Sequence, residues 1–431
     1  MNFLSIKNIF RSFKYYNFRL YFSGQSISLI GTWIQRLAMP WLVYRLTNSP
    51  FLLGAVGFVG QVPTFLFTPF AGVLVDRWNK YQTLIITQVL AMIQALIIFF
   101  LYILKVLNIW QIFILSIFLA IINAFDMPLR QAFIIELIDN KEDLGNAIAL
   151  NSLMVNMARL LGPSLAGILI SLTNEGICFL VNAISYIFVI IFLLKMKISN
   201  NRRENKKEFL SLFKDLKEGF LYVFGFPPLR YIILLLALIS LVGMPYTILM
   251  PIFASKILHG NAYTFGFLMA GSGIGALIAG LYLASRKTVL GLGRILAFSP
   301  IIFGLGLILF SLSRNFLLSF LMMIVTGFGM ILNMTGSNTL LQTITEDDKR
   351  GRVMSFYTMA FIGIAPFGSL LAGTLASIIG APNTLLFGGI CAIIGGILFA
   401  LKLPEIRRLV RPIYLKLGII SEIPNNLPSS H

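Results

Sequence analysis

The chain has few of the residues that build disulfide frameworks or metal sites. Its 431 residues include two cysteines, Cys178 and Cys391, and two histidines, His259 and His431. Both cysteines fall inside apolar runs, so we interpret them as small buried hydrophobic residues. No cluster of histidine, cysteine and carboxylate residues has the spacing of metal ligands. The sequence therefore predicts neither a disulfide scaffold nor a metal site, and we expect no cofactor.

Catalytic motifs are also lacking. The sequence contains no Ser/His/Asp set and no phosphate-binding loop of a nucleotide-binding domain. Gly271, Gly273 and Gly275 lie in the middle of an apolar run, which is typical of helix packing rather than of a phosphate cradle. We therefore expect a protein that is not an enzyme and that does not use ATP directly.

Charged residues are scarce as well. They make up 12% of the chain, and 58% of the residues are hydrophobic, whereas about a quarter of the residues in a soluble domain are charged. The mean hydropathy is +0.88. A chain of this composition needs lipid around it, so the sequence predicts a membrane protein whose surroundings are the bilayer.

Twelve apolar runs have the length of roughly 20 residues that a membrane-spanning helix needs. Six precede and six follow a polar stretch, so we predict an all-α membrane protein with two six-helix bundles, residues 1–196 and 230–403. A cytoplasmic linker with an amphipathic helix occupies 197–229, and a tail occupies 404–431. The runs lie near 20–44, 51–75, 81–104, 109–132, 145–171, 176–195, 231–256, 263–284, 293–312, 316–341, 351–379 and 384–402.

The basic residues are distributed very unevenly between the two sides of these spans. Of 34 lysines and arginines, 28 lie on the side of the termini, four on the opposite side and two within spans. Because cytoplasmic loops carry the excess of lysine and arginine, both termini are predicted to be cytoplasmic. The net charge of +18 thus reflects topology rather than a nucleic-acid partner. The Ile/Asn/Lys bias and the lack of a eukaryotic-style extension favour a multi-pass protein of a bacterial inner membrane.

The two halves resemble each other. Residues 161–167 align with 367–373 at an offset of 206, and the same offset aligns Gly145 with Gly351. Parallel six-helix repeats place the substrate site at their interface, near the middle of the bilayer. We therefore expect a central site between the halves, although shared composition alone is the alternative explanation.

The loop after the second apolar run carries Gly72, Asp76, Arg77 and Lys80. This pattern resembles the loop between helices two and three of the major facilitator superfamily. The resemblance implies a salt-bridge latch that keeps the cytoplasmic side closed in the outward-facing state. The alternative is that Asp76 and Arg77 only cap a tight turn and fix the topology. The equivalent segment of the second half, 279–287, lacks the acid.

Asn123, Asp126 and Arg130 share one face of the fourth span, because they are three and four residues apart. Ionisable groups inside a bilayer are rare and face a cavity or a partner. Asp126 is therefore a candidate for a proton-titrating site or for a partner of the Asp76 loop. The alternative is a local Asp126–Arg130 pair near the inner surface.

Two arginines, Arg36 and Arg159, lie within spans that offer no acid to offset them. A charge at the centre of a span costs about 2.5 kcal/mol or more on insertion scales. We expect at least one of them to face a wet cavity and attract an anionic group of a substrate. Snorkelling or pairing with backbone carbonyls is the alternative, and it suits Arg36 better than Arg159.

The fifth span contains Ala158, Gly162, Pro163, Ala166 and Gly167. This spacing resembles the motif of exporting antiporters, with alanine at two of the glycine positions. Together with 17–20, 24–28, 31–35 and 126–137, it resembles the exporter branch that contains the enterobactin exporter and macrolide efflux proteins. The resemblance implies a twelve-helix proton-driven exporter that works by alternating access. The first span has no acid, so a proton site there is not implied, and generic small-residue packing remains the alternative for the motif.

These observations favour a secondary transporter, monomeric and coupled to protons, that exports a small amphipathic molecule such as a siderophore or a drug-like anion. An importer or a lysolipid flippase of the same fold is an alternative, and a non-transporting membrane scaffold or receptor is an alternative of another class. The polar residues predicted to line the cavity are Gln35, Arg36, Gln61, Asn123, Asn156, Arg159 and Asn333.

Overall fold

The computed structural model describes residues 10–75, 78–197, 211–286 and 288–420, and this part of the chain is helical with no β-strand. The first half contains α1 (Tyr16–Thr47), α2 in two segments (Pro50–Val59 and Val62–Val75), α3 (Lys80–Ile103), α4 (Ile109–Glu136), α5 (Lys141–Leu172) and α6 (Glu175–Leu194). A linker helix (Ser211–Gly225) precedes the second half. That half contains α7 (Pro227–Ile257), α8 (Ala262–Ala284), α9 (Leu292–Leu312), α10 (Phe316–Ile344), α11 (Arg350–Ile379) and α12 (Ala381–Lys416).

Each predicted span falls on one of these twelve helices. In the described ranges, eleven helices, α2 to α12, are long and apolar enough to cross a membrane. The helix α1 is 32 residues long, but polar and charged side chains along it lower its mean hydropathy. The helix α12 continues to Lys416, so the first part of the segment assigned to the tail is helical.

Asparagine is the N-cap residue of many of the helices. Each of these asparagines stands just before the first helical residue and accepts a hydrogen bond from a backbone N–H of the first turn, which has no partner within the helix. At Asn108 the cap is reciprocal, because the side chain of Gln111 accepts from the Asn108 backbone N–H. The asparagines that cap α3, α4, α5, α6, α8 and α10 are Asn79, Asn108, Asn140, Asn174, Asn261 and Asn315.

Two helices of the second half are irregular near prolines. The helix α7 contains π-helical turns at Ile239–Gly243 and Phe253–Ile257, on either side of Pro245 and Pro251, and α11 contains one at Met359–Gly363, before Pro366. Proline has no N–H to donate, so the hydrogen-bond ladder shifts register around it. These helices can therefore change curvature more easily than straight ones.

The most extensive contacts between the halves are made by two helix pairs, α5 with α8 and α2 with α11. Glycines allow both contacts. A Cβ added to Gly167 of α5 would lie 3.1 Å from the Cα of Gly266 in α8, and one added to Gly54 of α2 would lie 2.7 Å from the Cα of Gly373 in α11. Gly167 and Gly373 are equivalent in the sequence alignment of the halves, so both repeats use the same position to approach the other half.

These glycine contacts lie toward one side of the bundle. Because the helices run up and down, both ends of the described chain lie on one side, which we name the terminus side. The α1–α2 and α7–α8 connections lie on the opposite, far side. Gly54 and Gly266 are one turn into helices that begin at the far side. The halves are therefore packed tightly at the far side.

Candidate functional site

The structure brings the two arginines of the spans to one tryptophan. The guanidinium carbon of Arg36 lies 4.9 Å from the centre of the Trp33 ring, and that of Arg159 lies 5.4 Å from the same point. Trp33 and Arg36 are on adjacent turns of α1, and Arg159 comes from α5. Both distances are within the range of cation–π attraction, which partly compensates each charge.

No carboxylate neutralises this pair of charges. Among the described residues, neither arginine has an aspartate or glutamate within the 4.0 Å of a salt bridge. Arg159 lies on α5, the helix that packs against α8 of the second half. The site therefore presents uncompensated positive charge between the two halves.

The Arg36 side chain is exposed, although it lies well inside the span, roughly 16 Å from the end of α1 by helical rise. Asn156 and Ser152, nearer the terminus side of α5, are exposed too, as are Thr339 and Gln342 on α10. Polar residues exposed along membrane helices indicate an aqueous cavity. Together with the far-side packing, this indicates a cavity that opens toward the terminus side.

Gly162 makes room for the tryptophan. A Cβ at this position of α5 would clash with the Cβ of Trp33. In the same motif, the carbonyl oxygen of Pro163 and the Cα of Gly167 contact Gly266 of α8. The three residues Gly162, Pro163 and Gly167 thus place α5 against both α1 and the second half, with Arg159 one turn away.

Asp126 and Arg130 form a buried ion pair, with Arg130 Nε 2.5 Å from Asp126 Oδ2. Asp126 is 7% exposed, and its other oxygen accepts hydrogen bonds from Thr87 Oγ1 at 3.0 Å and Gln88 Nε2 at 2.6 Å. Arg130 also donates to Gln25 of α1 and to Gln88. This network joins α1, α3 and α4 about two to three turns from their terminus-side ends, so the pair is deeper than a surface pair.

A second polar network holds Gln35. Its side chain donates to Gln94 Oε1 at 3.1 Å and accepts from Asn182 Nδ2 at 2.7 Å. Gln35 is 3% exposed, and these contacts join α1, α3 and α6. In this conformation the Gln35 side chain is used for packing within the first half and does not reach the cavity.

The other predicted lining residues differ in their surroundings, and Asn156 is the one that lies a single turn from Arg159 on α5. The side chains of Gln61 and Asn156 donate to the backbone of their own helices, to Gly57 O and Ser152 O. Asn123 is half-buried on α4. Asn333 is 1% exposed and donates to Ser299 Oγ at 3.4 Å, and its buried Oδ1 has no hydrogen-bond partner among the described residues.

The predicted latch lies partly outside the described residues, because Asp76 and Arg77 do. Gly72 is helical, near the end of α2. The ammonium of Lys80, at the start of α3, is 2.5 Å from Glu136 Oε1 at the end of α4. The structure thus assigns Lys80 a partner, Glu136, that the sequence analysis did not consider.

Trp33, Gln25, Gln88 and Gln94 were absent from the predicted site. A helical wheel places Trp33 beside Arg36, three residues away, so spacing alone could have added it. The glutamines carry no such signal, because they interact with residues on other helices. In the part of the chain that the structure describes, no group of histidine, cysteine and carboxylate residues could hold a metal ion.

Comparison with known proteins places this architecture among transporters. A family model described as "Transmembrane secretion effector" matches residues 8–411. The chain is 28% identical over 383 residues to the Staphyloferrin A transporter of Staphylococcus aureus (strain NCTC 8325 / PS 47), covering 87% of this chain and 93% of that protein. It is 22% identical over 387 residues to Macrolide efflux protein A of Streptococcus pyogenes, covering 87% and 94%.

The fold is shared with solved transporters. The crystal structure of a POT family transporter in complex with 5-aminolevulinic acid superimposes with a TM-score of 0.70 at 12% identity, over 90% of this chain and 96% of that one. At this identity the likeness concerns the fold alone.

Proposed function

Because this chain belongs to the Transmembrane secretion effector family of the major facilitator superfamily, we propose that it exports a small amphipathic anion across a bacterial inner membrane. It is a small-molecule transporter and not an enzyme. The proposal adds the charge of the substrate, the outward direction and a proton as the counter-transported ion.

The observation that carries the proposal is the arginine pair on Trp33. Two guanidinium groups without a carboxylate, in a cavity between low-dielectric helices, favour an anion over a neutral or cationic molecule. The indole between them supplies an apolar and aromatic surface. A molecule with acidic groups beside a ring or an acyl chain suits both features, as a siderophore or an acidic drug would. The name of the staphyloferrin relative supports the siderophore class.

The conformation suits the first step of export. With both termini in the cytoplasm, as the basic loops favour, the cavity opens inward and the far-side packing closes it outward. The substrate would bind Arg36 and Arg159 from the cytoplasm. Separation of α5 from α8 and of α2 from α11 would then expose the same site to the outside, which is alternating access about a fixed site.

Asp126 is the proposed proton carrier of the first half. Its carboxylate is buried, and within the described ranges Arg130 is the charged side chain that balances it. Protonation would remove the balancing charge from Arg130 and loosen the contacts of Arg130 with Gln25 and Gln88. The network spans three helices, so a proton bound there can alter how they pack.

The test is substrate flux in proteoliposomes with an imposed pH gradient. The panel contains anionic siderophores, a lipophilic cation and a lysolipid. We expect an anionic compound to be transported, and Arg36→Gln and Arg159→Gln each to reduce its transport efficiency at least tenfold through a raised KM. Lys105→Gln, on an exposed far-side connection, removes the same charge away from the site and serves as the control.

Two outcomes would contradict the proposal. Unchanged anion transport in Arg159→Gln would remove the arginine pair from the substrate site. Absence of gradient-driven flux for every compound would favour a scaffold or receptor that shares the fold.

A further inference from the structure

A second basic site lies at the terminus side of the second half, away from the central cavity. A pocket of about 250 Å³ opens between the beginning of α9, α10 and the last turns of α12. Three arginines line it, Arg294 from α9 and Arg407 and Arg411 from α12. The pocket therefore combines charges from two helices that are far apart in the sequence.

The arginines lie above an apolar floor. Ile406 and Val410 of α12 are each 3% exposed, and Leu340 of α10 is 2% exposed. They pack the extension of α12 against the bundle and hold the arginines in place. The arginine side chains are exposed, and within the described ranges none of the three has a carboxylate within salt-bridge distance. The nearby acid, Glu405, is paired with Lys402 at 3.9 Å.

An exposed apolar strip leads along α9 to this pocket. Phe298 is 61% exposed and is one turn from Arg294, on the same face. Leu305 and Leu309 continue this face and are 47% and 49% exposed. These residues are on a span that lipid surrounds, so they contact acyl chains. Arg294 follows where the strip ends, at the level of the lipid headgroups, and Arg407 and Arg411 line the same pocket.

We propose that this pocket binds the phosphate headgroup of an anionic phospholipid from the terminus-side leaflet, with the acyl chains along the apolar strip of α9. The three arginines supply the charge complementarity, since guanidinium groups bind phosphate oxygens through paired N–H donors. The apolar strip of α9 favours a lipid over a soluble anion, because a free phosphate would use only the arginines.

The interaction is expected to weaken stepwise with the charges. Each basic residue near an anionic membrane surface contributes roughly a fivefold gain in affinity, so loss of three corresponds to about a hundredfold. This proposal is independent of the transported substrate, because the pocket lies outside the cavity that holds Arg36 and Arg159.

The full-length protein, purified in a neutral detergent, is titrated with phosphatidylglycerol, phosphatidylcholine or inorganic phosphate. Native mass spectrometry measures bound lipid, and thermal unfolding measures stabilisation by each ligand. The wild-type protein should retain phosphatidylglycerol and unfold at a higher temperature with it, with little response to the other two. The triple variant Arg294→Gln/Arg407→Gln/Arg411→Gln should lose the binding by about a hundredfold.

The control variant is Arg19→Gln/Lys195→Gln/Lys197→Gln, which removes three charges from the same side of the first half and should bind like the wild type. If the triple variant does not fold, Arg411→Gln alone is measured, with about a fivefold loss expected. Equal binding by the pocket variant and the control would overturn the proposal. Equal stabilisation by phosphate and by phosphatidylglycerol would overturn the assignment to a lipid.

Discussion

At the scale of single residues, the buried pair of Asp126 and Arg130 is balanced by neighbours that cannot change charge. Thr87 and Gln88 donate to the aspartate, and Gln25 accepts from the arginine. Removing one partner of a buried ion pair leaves the other charge buried and alone, whereas removing both charges is often tolerated. The pair therefore allows a structural role to be separated from a coupling role.

We predict that Asp126→Asn destabilises the protein by about 3–5 kcal/mol and abolishes pH-gradient-driven flux. The double variant Asp126→Asn/Arg130→Gln should regain most of the stability. It should still lack gradient-driven flux, because the network would no longer contain the carboxylate that binds the proton. Thermal unfolding in detergent and proteoliposome flux measure the two quantities. A double variant that regains both would make Asp126 a structural residue and return the search for the proton site to the Asp76 loop.

At the scale of helices, the glycine contacts between the halves decide which side is closed. A Cβ on Gly266 would lie 2.6 Å from the carbonyl oxygen of Pro163 and 3.0 Å from the Cα of Gly167. Both neighbours are backbone atoms, which cannot turn aside as a side chain can. A larger residue at this position therefore forces α5 and α8 apart at the far side.

We predict that Gly266→Val opens the far side and slows export. A cysteine pair at Ser171 and Tyr263 reports the distance, since Ser171 Oγ accepts from the Tyr263 backbone N–H at 3.1 Å. Cross-linking of this pair, with Cys178 and Cys391 replaced by serine, should fall several-fold.

Gly280→Val on the same helix is the matched control, because a Cβ there meets no atom within 4 Å. Cross-linking that is as efficient in Gly266→Val as in the control would show that the glycine contact does not set the conformation.

At the scale of the whole molecule, the far side is closed by further contacts between the halves. The ring of Trp41 stacks on Phe265 with 6.0 Å between centres, and the Lys256 ammonium lies 5.6 Å from the centre of the Tyr44 ring. The basic residues concentrate on the opposite side. The closed side and the basic side of the molecule are therefore opposite. By the positive-inside rule the basic side faces the cytoplasm, so the closed side faces outward.

We predict that cysteines at Lys105 and Arg314 react with a membrane-impermeant maleimide in intact cells, and that cysteines at Lys195 and Arg350 react only after the membrane is permeabilised. All four positions are exposed, so reactivity reports the side of the membrane. The background again lacks Cys178 and Cys391. The reverse pattern would place the termini outside, and the cavity would then open outward in this conformation.

The sequence by itself determined the membrane class, the all-helical fold with its twelve runs, and the resemblance to exporters, which the family match and the relatives confirm. These features depend on composition, on the length of apolar runs and on local motifs, so they can be predicted from the order of the residues alone. Asparagine caps also belong to this group, because each cap is made within a few residues of its helix. The free-energy cost of placing an unpaired charge inside a span likewise identified Arg36 and Arg159 as candidate site residues.

Only the tertiary structure decided which of these residues meet. Arg36 and Arg159 are 123 positions apart in the chain, yet both contact Trp33, and Gln35 forms hydrogen bonds with Gln94 and Asn182 instead of facing the cavity. The physical reason is that polar side chains in a bilayer must find partners, and helix packing determines which partners are within reach. Spacing along one helix predicts a shared face, but the neighbour on that face comes from another part of the chain.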